Sequence, residues 1–220
     1  MTLSVAADRS ALNIEVSGSK FDLKEGEWSD WVSFSFPFNS IIKMEGVGRF
    51  RLIELGKEVR LYLSPIAFDP KNLPPVVDIS TPSSFAGELA DQHGLYKTIG
   101  WAIDTWSLAE GTIFEDVFFE DTWFTVDQYQ KILYGMLAEK DWDVLIHYFE
   151  FPDRVQHMMW RHFDPKHPLY DVEKAAKWGG SILETYQRMD AIVGDTIKRM
   201  PEGARLFVLS DTVSSPSGVP

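Results

Sequence analysis

The sequence predicts an α/β protein: a parallel sheet with flanking helices over residues 81–220, preceded by a β-rich region over residues 1–80. Three observations carry that prediction. Short runs of alternating polarity fill the opening third, helical periodicity takes over after a Pro-rich stretch, and two compact apolar runs bracket a long helical pattern.

The opening runs are LNIEV, DWVSFSF, RFRLIEL and EVRLYL, separated by Gly, Asn-Ser and Lys-Glu-Gly turns, with Gly56 to Glu58 placed as a hairpin connection. Within them Trp28, Trp31, Phe34, Phe36 and Phe38 suit either core packing along a strand or an aromatic ligand face. DPKNLPPVV and STPSS, Asp69 to Ser84, then read as an extended crossing segment.

Beyond it SSFAGELADQHG predicts a short helix with Ser84 at its start and Gly94 at its stop. In TVDQYQKILYGMLAEKD the apolar residues Val126, Tyr129, Ile132, Leu133, Met136 and Leu137 recur at helical spacing. WDVLIHYFEF lacks helical polarity and reads as a strand buried on both faces. A single helix is expected from about Val172 to Met200, with Leu183, Tyr186, Met189, Ile192, Val193 and Ile197 on its apolar side, and RLFVLSD follows as a second buried strand. Strand, helix and strand make a βαβ unit, whose ligands collect at the carboxyl ends of parallel strands.

Composition narrows the chemistry. The 220 residues carry a formal charge of −12, with the acids spread along the chain, and this excludes the clustered cations that nucleic-acid binding requires. There is no cysteine, so any metal is held by oxygen and imidazole. No run approaches a membrane span, and the first residues show no export signal, so as written the chain reads as soluble and cytoplasmic.

Asp153 and His157 follow the first buried run four residues apart, and on a helix they share a face and converge. Asp211 ends the second run, at the same sheet edge. A carboxylate and a neutral imidazole suit zinc, manganese or iron. The same spacing also suits an N-cap beside a surface histidine. His147 reads as a core group, His162 and His167 fall in a polar loop, and His93 lies at a helix end. Arg154, Arg161 and Lys166 are candidates for steering an anion, or solvated surface charges.

The stretch DWDVLIHYFEFPDRVQHMMWRHFDPKHPLYD, with YQRMDAIVGDTI, LFVLSD and the earlier GLYKTIGWAIDTW, resembles the type I phosphodiesterase/nucleotide pyrophosphatase branch of the alkaline phosphatase superfamily, near its predicted phosphohydrolase/phosphomutase members. The resemblance implies an alkaline-phosphatase-like sheet and hydrolysis of a small-molecule phosphate ester by two divalent ions, zinc or manganese, with a Thr or Ser alkoxide as nucleophile. It makes Asp153 and His157 part of one metal site and Asp211 part of the other. The chain departs from the pattern after Asp211, where the family has His-Gly-Phe and this sequence has Thr212, Val213 and Ser214. A hypothesis about the gene accounts for this: with suitable codons a one-base shift there restores His-Gly-Phe, and the nucleotides across Asp211 check it. The family's nucleophile segment, first metal-binding Asp and downstream His find no counterpart. The chain is therefore expected to be a C-terminally truncated, catalytically incomplete fragment whose β-rich opening is a cap or accessory region. The alternative is a non-catalytic ligand-binding β module on an α/β scaffold.

Overall fold

A computed structural model describes residues 1–37, 43–139 and 142–210. Two compact units divide the chain, Met1–Asp104 and Thr105–Pro220.

In the first unit eight strands form in order: β1 (Thr2–Val5), β2 (Leu12–Val16), β3 (Ser19–Leu23), β4 (Val32–Pro37), β5 (Lys43–Gly48), β6 (Phe50–Leu55), β7 (Val59–Leu63) and β8 (Ala67–Phe68). They pair antiparallel as β1-β2-β3, β4-β5-β8 and β6-β7. Alternation sets the burial: in β2 Leu12, Ile14 and Val16 point inward while Asn13 and Glu15 face out. These three join Leu23, Val32, Phe34, Phe50 and Leu52 in one core, each large side chain contributing roughly 1.5–3 kcal/mol by leaving water.

The β6–β7 connection falls at Gly56 to Glu58, where the Gly56 amide donates to the Glu58 carbonyl at 3.1 Å. Phe34 packs in the core and stacks on the more exposed Phe36. Trp28 meets Tyr62 edge-on and carries the Arg49 guanidinium over its ring. Core packing thus accounts for Phe34, and Phe38 lies outside the described residues.

After β8 the next regular element is helix α1 (Phe85–His93). Ser84 occupies the position before it but makes no side-chain cap, while Gly94 ends it at φ 89°, the left-handed conformation that favours glycine.

The second unit is helical: α2 (Thr105–Ala109), α3 (Glu115–Glu139), α4 (Phe151–Phe163), α5 (Val172–Trp178) and α6 (Ser181–Arg199). Helix α3 begins about ten residues before the predicted pattern and buries Val126, Ile132, Leu133 and Leu137 as expected. The single helix expected over 172–200 is two, broken at Gly179 and Gly180. A Cβ at Gly179 would stand 2.6 Å from the Ala175 carbonyl and 3.2 Å from that of His162, so the break is where the chain passes closest to the end of α4.

The buried side of α6 also differs from the expectation. It consists of Ser181, Ile182, Thr185, Ile192 and Thr196, while Leu183, Tyr186 and Ile197 are exposed. Threonine is admitted because its hydroxyl donates to the carbonyl one turn back, Thr185 to Ser181 and Thr196 to Ile192, each at 2.8 Å.

The protein is mixed α/β, with a β-rich region ahead of its helical part, and the predicted parallel pair is not found among the described residues. Among the described residues every ladder is antiparallel, and the segments around 144–149 and 205–210 carry no regular secondary structure. One side of the first segment is covered: His147 meets Tyr129 and Phe149, and Phe149 meets Phe151. Its other side, Val144, Ile146 and Tyr148, faces solvent, as do Phe207, Val208 and Leu209 of the second. The first of the apolar runs that suggested double burial is therefore covered on one side only, and residues 205–210 of the second are exposed throughout.

Candidate metal centre

Helix α4 builds the candidate site. It starts with Pro152 in its first turn, where a missing amide hydrogen costs nothing, followed by the acidic Asp153. Phe151, Val155, Met159 and His162 form its buried stripe. Asp153, His157 and Arg161 each stand two residues past one of the first three, about 200° around the helix from it. Helical periodicity thus sends the acid, the imidazole and the guanidinium to the opposite side.

Asp153 Oδ1 and His157 Nε2 approach to 3.3 Å. That separation is close to the edge of a tetrahedron with metal–ligand bonds of about 2.0–2.1 Å, so the two atoms fit one divalent cation without moving apart. His157 is about half exposed, its side chain at 54%, so a solvated ion reaches it. The other Asp153 oxygen lies 3.5 Å from Arg154 Nη1, and Arg154 Nε is 3.1 Å from the buried Glu150. The carboxylate therefore stands between the Arg154 guanidinium on one side and the His157 imidazole on the other.

The third expected ligand, Asp211, lies outside the described residues. Among those described, no group of three or more acidic and imidazole side chains converges. The remaining histidines sort by environment. His93 closes α1 and His167 accepts from the Leu169 amide through Nδ1. His147 is largely enclosed, its Nε2 has no partner among the described residues, and burial lowers its pKa to about 4.

His162 departs from its expected place in a polar loop. It sits in the last turn of α4, 2% exposed, with Nε2 2.9 Å from Glu115 Oε1. The same oxygen accepts from Arg161 Nη2 at 3.0 Å and Lys174 Nζ at 3.1 Å. Burial raises the Glu115 pKa, but its own backbone amide, Lys174 and His162 outweigh it and bring it to about 2. For His162, burial, Arg161 and Lys174 lower the pKa more than Glu115 raises it, so the ring is neutral at pH 7. Nothing in the sequence around Glu115 marks it, because its partners Arg161, His162 and Lys174 lie 46, 47 and 59 positions away.

A carboxylate and an imidazole paired on one helix face are a donor set of the kind that suits a hard or borderline cation. The family model for type I phosphodiesterase / nucleotide pyrophosphatase matches residues 69–212, and the chain belongs to that family. No curated protein shows significant similarity to it. No solved structure does either. Among the described residues no helix is long and apolar enough to cross a membrane.

Proposed function

We propose that the chain carries part of the catalytic site of a metal-dependent phosphate-ester hydrolase, with Asp153 and His157 as ligands of one divalent cation and Asp211 as a ligand contributed from beyond the described residues. The observation that carries this reading is the 3.3 Å approach of Asp153 Oδ1 to His157 Nε2 on the solvent side of α4, inside the segment matched to a phosphodiesterase family. The cation, zinc or manganese, would draw electron density from a phosphoryl oxygen and offset the charge that develops there. His157 contributes as a neutral imidazole and Asp153 as a carboxylate. The substrate is a small-molecule phosphate ester, and the acidic surface of a chain at −12 leaves nucleic acid without a basic track to follow.

The same reading makes the chain by itself a poor catalyst. Among the described residues Asp153 and His157 supply two of the ligands in this reading, one fewer than a catalytic zinc site ordinarily uses, with no hydroxyl nucleophile assigned to the pair. The covalent and electrostatic contributions to the barrier are therefore both deficient. Hydrolysis of bis(p-nitrophenyl) phosphate with added zinc or manganese tests this alongside metal uptake. Uptake without turnover above the free-ion background is expected. Turnover abolished by Asp153→Ala would contradict the incompleteness, and absence of uptake would contradict the site.

A further inference from the structure

The stripe that presents Asp153 and His157 has a third member. Arg161 follows His157 by four residues, about 6 Å further along α4 and about 40° around it. Its Nη2 is tied to Glu115 Oε1 at 3.0 Å, and its Nε stands 3.3 Å from His162 Nε2. That second approach is a contact rather than a hydrogen bond. His162 is neutral, and its Nε2 carries the proton given to Glu115, so it has no lone pair left for Arg161. The guanidinium thus has one edge anchored, while Nη1 has no protein partner among the described residues and the side chain remains 20% exposed.

A bland reading of this cluster is that Glu115 fastens α3 to α4 and α5. One cation would serve that purpose, yet Arg161 and Lys174 both bond the same oxygen, with Lys174 half exposed. An ionised carboxylate facing a guanidinium and an ammonium leaves a surplus of one positive charge, in a protein whose net charge is −12. Such a surplus favours an anion bearing a single charge, and a planar guanidinium held at one edge offers the other edge to two oxygens at little entropic cost.

We propose that Arg161 is the phosphate-contacting residue of this site, holding a non-bridging oxygen of a phosphate ester whose reacting end lies toward Asp153 and His157. Glu115 is its positioning residue, and Lys174 supplies the second positive charge. This deepens the function proposed above and rests on Asp153 and His157 being the cation ligands. Because the contact is to the phosphoryl group, it would favour phosphate esters over carboxylic esters whatever the alcohol.

The test is calorimetric titration of inorganic phosphate into the whole chain, with and without manganese, beside a separate manganese titration. Arg161→Gln is expected to weaken phosphate binding at least tenfold and to leave manganese uptake within twofold of wild type. Arg161→Lys keeps a charge on Glu115, and with it the fold, but loses the fork, so a loss of at least threefold is expected even if the Gln variant fails to fold. Unchanged phosphate affinity in Arg161→Lys, or in a folded Arg161→Gln, would overturn the proposal, as would a wild-type chain that binds no phosphate. Arg161-dependent phosphate binding without manganese uptake would support the Arg161 contact while refuting the Asp153–His157 cation site.

Discussion

At the scale of single residues, two buried titratable groups make stability fall on acidification in two different windows. His147 is kept neutral by burial, with its pKa lowered from 6.5 to about 4. Between those values the unfolded chain binds a proton that the folded chain refuses, so stability falls as pH drops from 6.5 toward 4, by on the order of 3 kcal/mol, and is flat below. Urea midpoints at pH 7 and pH 5 should differ accordingly, and His147→Phe should flatten that interval. Glu115 acts in a lower window. With its pKa brought from 4.5 to about 2, its contribution is complete above 4.5 and is lost as pH falls toward 2. Glu115→Gln should therefore remove the acid-side slope below pH 4.5 while leaving the interval governed by His147 in place.

Residue-level chemistry was only partly legible in the sequence. The four-residue spacing of Asp153 and His157 was enough to place them on one face, because helical geometry is local. Glu115 and His162 meet across 47 positions, and nothing in either neighbourhood announces the other. His162 followed a buried apolar stripe at 151, 155 and 159, so the periodicity of α4 held the signal, obscured by assigning the helix end too early.

At the scale of elements, β2, β4, β6 and β7 fall on the four runs legible in the sequence, whereas β1, β3, β5 and β8 do not, and α1 follows from its glycine stop. The α5–α6 break was visible as the pair Gly179 and Gly180, but a long apolar period overrode it. The buried face of α6 was hidden for a different reason. Its threonines count as polar in a pattern, although bonds to their own helix let them be buried. Gly179 is the element-level test. Gly179→Ala brings a methyl group against the Ala175 and His162 carbonyls, and a destabilisation of about 1–3 kcal/mol is expected, measured as a lowered denaturation midpoint. A neutral outcome would mean that the α4 end and the α5–α6 junction separate readily.

At the scale of the whole molecule, the two compact apolar runs read as buried parallel strands form no parallel pair among the described residues. Such a pair is a non-local structure, which short sequence patterns specify poorly. Ile146 is 86% exposed and Leu209 88%, and clustered exposed apolar side chains promote self-association. Ile146→Lys should raise the soluble concentration and change the unfolding free energy by no more than about 0.5 kcal/mol, read by light scattering and urea denaturation together. A large loss of stability would show that this side chain is packed in solution.

Function in this molecule depends on whether the solvent side of α4 holds a cation. Manganese or zinc titrated into wild type, Asp153→Ala and His157→Ala, with unfolding followed in parallel, addresses that most directly. Saturable uptake by wild type is predicted, weakened by more than about 100-fold in either variant, since losing a ligand exceeds the 10–100-fold cost of losing its outer support. Equal uptake by all three, with the variants folded, would contradict the assignment.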